Sequence, residues 1–301
     1  MKTLSISGRR KHYRADRFSV LTAVMLIVLI LFSLSLFLLL CWAFITTFKA
    51  QSEFRLNIIG LPKKWVWNYS TVIDMFYVMI MTDTGTEYVG IPEMAFNSLA
   101  YALGSSFAAT AMPCLLGYLC ARFPYKYSKA IYLVAVVTMF ISLVGTMPSQ
   151  IQIMKTLGLY GHIWGLWIMS ANFGGVNFMI FYGMSQGISM DYTNAARLDG
   201  AGNLTIFLRI IFPMLGSTFL TIMLIKFIGF WNDYSTPLVY APGNPTLALG
   251  VFQMSTTNIN QMSTVPMRLT AAMILLIPIL LIFVAFHNKI MENLNIGGIK
   301  G

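Results

Sequence analysis

Six stretches of this chain, residues 20–47, 97–122, 129–148, 161–186, 206–232 and 269–287, stay apolar for about 20 residues, the length a helix needs to cross the hydrocarbon core of a bilayer. They are too long and too little alternating to be strands of a membrane barrel. Backbone in lipid finds no water to bond, so such a segment closes its own hydrogen bonds as a helix. The pattern predicts an all-α, polytopic membrane protein with six transmembrane helices. It divides the chain into an N-terminal segment 1–19, a first membrane helix 20–48, a loop 49–96, a core 97–288 holding the other five helices, and a tail 289–301.

Two polar intervals are long enough to carry structure of their own. The first, between helices one and two, contains Pro62, Trp65, Trp67, Tyr69 and a turn-like cluster over 82–86. Its amphipathic run 75–80 fits either a short helix at the membrane interface, where aromatic rings collect, or an ordered loop. The second, 187–206, follows helix four. Asp191 or Thr193 is positioned to cap a short helix running through Arg197, with Gly200 and Gly202 ending it and Asn203 or Thr205 starting the next. Ala195 and Ala196 are small enough to let another protein's surface approach, which gives this segment the features of a docking knob.

Charge fixes the orientation, because cationic residues collect in cytoplasmic loops. Arg9, Arg10, Lys11, Arg14 and Arg17 precede the first helix; Arg122, Lys126 and Lys129 lie in the next inner loop; Arg197 and Arg209 lie in the third, and Lys289 and Lys300 in the tail. The opposite loops carry Lys49, Arg55, Lys63, Lys64, Lys155 and Arg268, offset by Glu53, Asp74, Asp83, Glu87 and Glu93. Both termini are therefore expected inside. The net charge of +10 sits at membrane boundaries without the aromatic interleaving of a nucleic-acid site, so anionic lipid headgroups are its expected partner and nucleic acid is not.

A chain that is 57% hydrophobic and 10% charged is no ordinary soluble domain. Its first apolar run is long enough to span and lacks a small-residue cleavage site, so it is expected to stay as helix one. Cys41, Cys114 and Cys120 all fall in apolar runs and have no metal-ligand spacing, and His162 and His287 each stand alone. No metal site, catalytic residue or bound cofactor is expected. A Gly-rich phosphate loop ending in Gly-Lys-Ser/Thr is absent, as are the paired carboxylates, zinc motif or Ser-His pair of an intramembrane enzyme. An ion-coupled secondary transporter would need intramembrane carboxylates or broken helices in an inverted repeat, and the sequence displays neither.

The segment Asn194-Ala195-Ala196, followed by Gly200, Ile210 and Pro213, resembles the EAA signature of permease subunits of ABC importers and meets every spacing in it. Asn194 stands where that family has Glu, and Phe212 where it has Leu. Asn97-Ser98-Leu99, Ala121-Arg122-Phe123, Leu157-Gly158-Leu159, Trp231-Asn232-Asp233 and Gly297-Gly298-Ile299-Lys300-Gly301 occur in the order of the carbohydrate-uptake branch, most similar to the maltose-type partner whose tail reaches the ATPases. The resemblance implies a type I permease fold in a bacterial cytoplasmic membrane. It also implies a second permease subunit, two ATP-binding subunits that use ATP and Mg, and an extracellular solute-binding protein. A permease for a non-sugar solute is the alternative within the family.

By the same resemblance Asp191, Asn194, Ala195, Ala196, Arg197, Asp199, Gly200 and Pro213 couple the chain to the ATPase, and Gly297, Gly298 and Lys300 touch it from the tail. Polar residues in spanning helices face the bundle interior or a watery cavity, which makes Asn172, Asn177, Lys226, Trp231, Asn232 and Asp233 candidates for the substrate path. Each has a structural alternative: interhelical hydrogen bonding for the two asparagines, snorkelling for Lys226, and an interfacial anchor with a polar cap for Trp231-Asn232-Asp233. Trp164 and Trp167 read as interface-belt residues. Removing the tail from Glu292 onward is expected to weaken coupling of ATP hydrolysis to transport, measured as substrate moved per ATP consumed; an unchanged ratio would mark the tail as a plain chain end.

Overall fold

A computed structural model describes residues 20–82, 85–123, 126–140, 145–172, 174–256 and 264–294, which fall into two compact units, one ending at Val66 and the other beginning at Trp67. The N-terminal segment 1–19 and the tail residues Gly297, Gly298 and Lys300 lie outside the described residues.

The first unit is α1 (Val20–Thr46), apolar all round as a lipid-facing helix must be, followed by α2 (Gln51–Leu56) and a folded return. Lys49 is fully buried where that return closes, a position an ammonium tolerates only when hydrogen-bonded. Its Nζ donates to the carbonyls of Asn57 (2.9 Å) and Ile58 (3.2 Å), and Trp42 Nε1 donates to the same Ile58 carbonyl at 2.9 Å. The Glu53 carboxylate accepts the backbone N–H groups of Lys63 and Lys64. These bonds, more than an apolar core, hold the segment after α1 in shape.

The second unit opens with α3 (Asn68–Met75), β1 (Tyr77–Thr82) and β2 (Gly85–Gly90). The two strands pair antiparallel, with Tyr77 opposite Gly90 and Thr82 opposite Gly85, which corrects the expectation of an all-α chain. Within the run 75–80, Met75 ends α3 and Tyr77 onward is strand, not an interfacial helix. Its period is two: Val78 and Ile80 are buried while Tyr77, Met79 and Met81 are exposed, an arrangement that suits a half-covered strand.

Next comes α4 (Ile91–Arg122), with Pro92 in its first turn where a missing N–H costs nothing, and with Glu93 against the positive end of the helix dipole. It is followed by α5 (Lys126–Phe140), α6 (Met147–Thr156), α7 (Ile163–Ser170), α8 (Val176–Gly187) and α9 (Met190–Leu198). A continuous helical stretch, Asn203–Asn232, then comprises α10 (Asn203–Ile206), a π-helical turn (Phe207–Ile211) and α11 (Phe212–Asn232). The chain closes with α12 (Ser235–Tyr240), α13 (Leu247–Thr256) and α14 (Val265–Leu294). Among the described residues four helical stretches are long and apolar enough to cross a membrane singly: 21–46, α4, Asn203–Asn232 and Val265–Phe286.

The other two predicted spans are not single helices. Run 129–148 yields α5 and, from Met147, the start of α6; run 161–186 is interrupted between α7 and α8, where Gly175 takes φ +90°. The sequence reading saw no broken helix, and Gly174-Gly175 makes one: glycine enters the left-handed region at no steric cost and gives helix little support.

The axis of the second unit is α4. Near its first turns Met94 and Ala102 join Val72, Phe76, Val78, Phe227 and Trp231 in one apolar cluster. Toward its end Cys114 and Tyr118 join Phe181, Ile206, Ile211, Leu215 and Phe219 in another. Small residues let its neighbours come close. A Cβ on Gly117 would stand 2.9 Å from the Tyr182 backbone nitrogen and 3.0 Å from Phe181 Cβ, and one on Gly104 would enter the Trp167 ring. Trp167, read from sequence as a belt residue, also donates its Nε1 to the Ala100 carbonyl at 3.0 Å, fastening α7 to α4. Gly117→Ala is expected to cost about 1–3 kcal/mol through overpacking against α8, seen as a lower unfolding temperature of the detergent-solubilised chain. Gly183→Ala, with open space around its Cβ, leaves that temperature unchanged or raises it.

Candidate functional site

The insert 187–206 folds as a capped helix standing on the ends of longer ones. Ser189 is the N-cap of α9: its Oγ accepts the Asp191 N–H at 3.2 Å and donates to Asp191 Oδ2 at 2.8 Å. The cap is thus Ser189, not Asp191 or Thr193. Asp191 sits in the first turn, where its charge favours the helix dipole, and Thr193 is turned inward and buried. At the other end Gly200 N–H donates to Arg197 O (3.0 Å) and Ala201 N–H to Ala196 O (2.9 Å), with Gly200 at φ +80°. That pair of bonds is the Schellman closure, and its left-handed position explains why a glycine stands there.

The two faces of α9 differ in what they meet. Thr193 and Ala196, three residues apart, are buried, and Ala196 packs in the cluster of Tyr118, Ile206, Ile211 and Leu215. Ala196 therefore supports the helix from beneath and does not face outward as its small size suggested. Asn194, Ala195, Arg197, Asp199, Gly200 and Pro213 are exposed, as is Leu198 at 90%. Leu198 is the most exposed large apolar side chain of this helix, ahead of Met190 and Tyr192. Arg122, at the end of α4, donates Nη2 to the Ile188 carbonyl and Nη1 toward Met190 Sδ, fixing the entry into α9. Sequence reasoning placed Arg122 in an inner loop and in the Ala121-Arg122-Phe123 motif without giving it this role; its place at the end of a helix was the available signal.

Beyond α9 the helical stretch widens before Pro213. Proline lacks an N–H and its ring collides with the carbonyl four residues back. The π turn Phe207–Ile211, closed by Phe212 N–H bonding Phe207 O, absorbs that conflict without breaking the helix.

The substrate-path candidates do not form one cluster. Asn172 is exposed at the interruption between α7 and α8, and Asn177 is half-buried in the first turn of α8. Lys226 is half-buried on α11, in helical phase with Leu215, Phe219 and Ile222, and no hydrogen-bond or ion-pair partner is recorded for it among the described residues. Trp231 is 4% exposed; it stacks on Phe227 and donates Nε1 to the Leu275 carbonyl at 3.0 Å, binding α11 to α14. Asn232 Nδ2 bonds the Ile228 carbonyl of its own helix at 2.9 Å.

Asp233 is the most heavily bonded of the set. Tyr101 Oη donates to its Oδ2 at 2.9 Å, while Oδ1 accepts from Ser235 N and Oγ (2.9 Å each) and Thr236 N (3.1 Å). Burial raises the carboxyl's affinity for a proton, but the bonds from Thr236, Ser235 and Tyr101 outweigh it and hold the group below its ordinary value. It is a carboxylate tying α4 to the start of α12. Two further residues of this end were missed as functional atoms. Asn97 Nδ2 donates to Pro245 O (3.2 Å), and Ser98 Oγ accepts Leu247 N–H (2.7 Å), sewing the segment before α13 to α4.

Comparison with known proteins gives a family, its relatives and a fold. A family model described as the binding-protein-dependent transport system inner membrane component matches residues 114–292. The chain is 22% identical over 259 residues to the arabinooligosaccharides transport system permease protein AraQ of Halalkalibacterium halodurans, covering 85% of this chain and 88% of that one. It is 25% identical over 261 residues to the probable starch degradation products transport system permease protein AmyC of Thermoanaerobacterium thermosulfurigenes, covering 85% and 89%. In fold it is similar to a chain of a bacterial ABC transporter involved in the import of the acidic polysaccharide alginate, with TM-score 0.75, 16% identity, and coverage of 92% and 99%.

Ser189→Ala removes the N-cap bond of α9, a loss of about 1 kcal/mol that corresponds to roughly fivefold faster hydrogen exchange of the α9 amides. Unchanged exchange would show that the cap contributes nothing to the helix.

Proposed function

The chain belongs to the family of binding-protein-dependent transport system inner membrane components, and from that membership we propose that it is one of two permease subunits of an ATP-driven importer, admitting a sugar or oligosaccharide to the cytoplasm by alternating access. It is a transport subunit of the membrane; ATP and Mg are used by a separate pair of ATP-binding subunits. The observation that carries the reading is α9, capped at both ends, seated on the ends of α4 and α11, and presenting Asn194, Ala195 and Leu198 outward.

In this reading α9 enters a cleft of an ATP-binding subunit. Its buried Thr193 and Ala196 face passes the movement of that subunit to α4 and α11 as rigid rods, so that two permeases rock about a shared path. Asn194, in place of an acidic residue, makes a neutral hydrogen bond where a charge-assisted one would be about twice as strong. The tail adds a second contact through Gly297, Gly298 and Lys300. The positive-inside charge pattern of the sequence supports a cytoplasmic side for α9 and both termini. Six crossings result when α5, and α7 with α8, each complete one pass. An extracellular binding protein delivers substrate to the opposite face.

The sugar assignment draws on the permeases for arabinooligosaccharides and starch degradation products to which the chain is similar. The interruption between α7 and α8 supports a path there, because irregular backbone at membrane depth is tolerated where it lines a cavity or is buried in protein. Asn172, Asn177 and Lys226 line the path, while Trp231, Asn232 and Asp233 frame it.

The test is uptake into proteoliposomes holding the whole complex. Labelled oligosaccharide is expected to enter only with binding protein outside and ATP with Mg inside, unaffected by proton or sodium ionophores, and to enter more slowly in Lys226→Met. Uptake that ignores ATP and collapses with an ionophore would overturn the proposal in favour of ion coupling.

A further inference from the structure

An open groove of about 500 Å³ runs between α4, α5 and α10, within the range of about 300–1,000 Å³ common to ligand pockets. Leu115, Leu119, Phe123, Ile131, Leu204 and Phe207 make it almost wholly apolar. Its polar lining, Tyr118, Ser128 and Asn203, comes from the last turns of α4 and the first turns of α5 and α10, whereas Leu115 and Ile131 lie farther along their helices. The groove therefore has a polar mouth and an apolar body.

The mouth is cationic. Arg197 Nη2 lies 3.4 Å from Asn203 Oδ1, Arg122 stands one turn beyond Tyr118 on α4, and α9, which carries Arg197, packs its Ala196 in the cluster of Tyr118. Both guanidiniums are partnered, among the described residues, only by neutral groups: Ile188 O and Met190 Sδ for Arg122, Asn203 Oδ1 for Arg197. Two positive charges without a carboxylate, beside an open apolar trough, complement a molecule with an anionic head and a hydrocarbon tail.

We propose that this groove binds an anionic phospholipid of the cytoplasmic leaflet, an acyl chain lying along Leu115, Leu119 and Ile131 and the phosphate facing Arg197 and Asn203. The leaflet rests on the orientation given under the proposed function. Since Arg197 belongs to α9, the lipid braces the docking helix against α4 and α5, and coupling to the ATPase depends on the membrane's anionic content.

The experiment is native mass spectrometry of the complex after extraction from bilayers of equal parts phosphatidylglycerol and phosphatidylethanolamine, run in parallel on the chain purified alone. The wild type is expected to retain phosphatidylglycerol selectively. Ile131→Trp, which fills the groove from α5, loses the retained lipid, and Arg197→Gln keeps lipid but prefers the anionic headgroup about fivefold less, the worth of one cation near an anionic surface. Equal retention by wild type and Ile131→Trp, or no headgroup preference in the wild type, would overturn the site. So would a direct cross-link from Ile131→Cys to the second permease. Failure of the complex to assemble counts against the importer reading alone, because the isolated chain still reports on the groove.

Discussion

A helix of nine residues is too short to hold itself together in water, so α9 exists because of what it stands on. Thr193 and Ala196 are pressed onto Tyr118, Ile206, Ile211 and Leu215, while Ser189 and the Gly200 closure satisfy its ends. This seating makes the exposed face useful. A knob that rested on a flexible tether would move without moving anything else, whereas one packed into the same cluster as α4 and α11 shifts them when it shifts.

The same logic explains why α4 carries bonds at both extremities. At one end Asn97, Ser98 and Tyr101 reach Pro245, Leu247 and Asp233 across a long sequence separation; at the other Arg122 grips the entrance to α9. Between them the helix is lined with small residues, Ala102, Ser105, Ser106, Ala109 and Gly117, against which α7, α8 and α11 pack closely. A rod fixed at both ends and closely flanked by its neighbours transmits displacement along its length.

Sequence made the broad plan readable where physics is one-dimensional. Apolar length gave the four long spans, and the docking segment was found because a short polar insert with alanines and glycines contrasts so sharply with the runs around it. What was missed depended on contacts with distant residues. The strand Tyr77–Thr82 is amphipathic under either period, and only burial of Val78 and Ile80 chooses two over 3.6. Asp191 or Thr193 was read as the cap and Ser189 was not considered, because which side chain reaches an N–H is settled by where the chain enters the helix. Ala196 was read as outward-facing for its size, and Trp231 as either a substrate-path residue or an interfacial anchor, yet both are buried structural supports. That Gly174-Gly175 interrupts a helix became visible only in the backbone angle of Gly175.

The central claim is that the exposed face of α9 is the seat of an ATP-binding subunit, and co-purification from the native membrane tests it most directly. The chain is expected to bring down a second permease and an ATPase, and Leu198→Asp, which changes the exposed face while leaving the buried one intact, is expected to lose the ATPase and keep the permease. An undiminished ATPase in that variant would contradict the docking geometry, and recovery of the chain by itself from the unaltered membrane would contradict the importer.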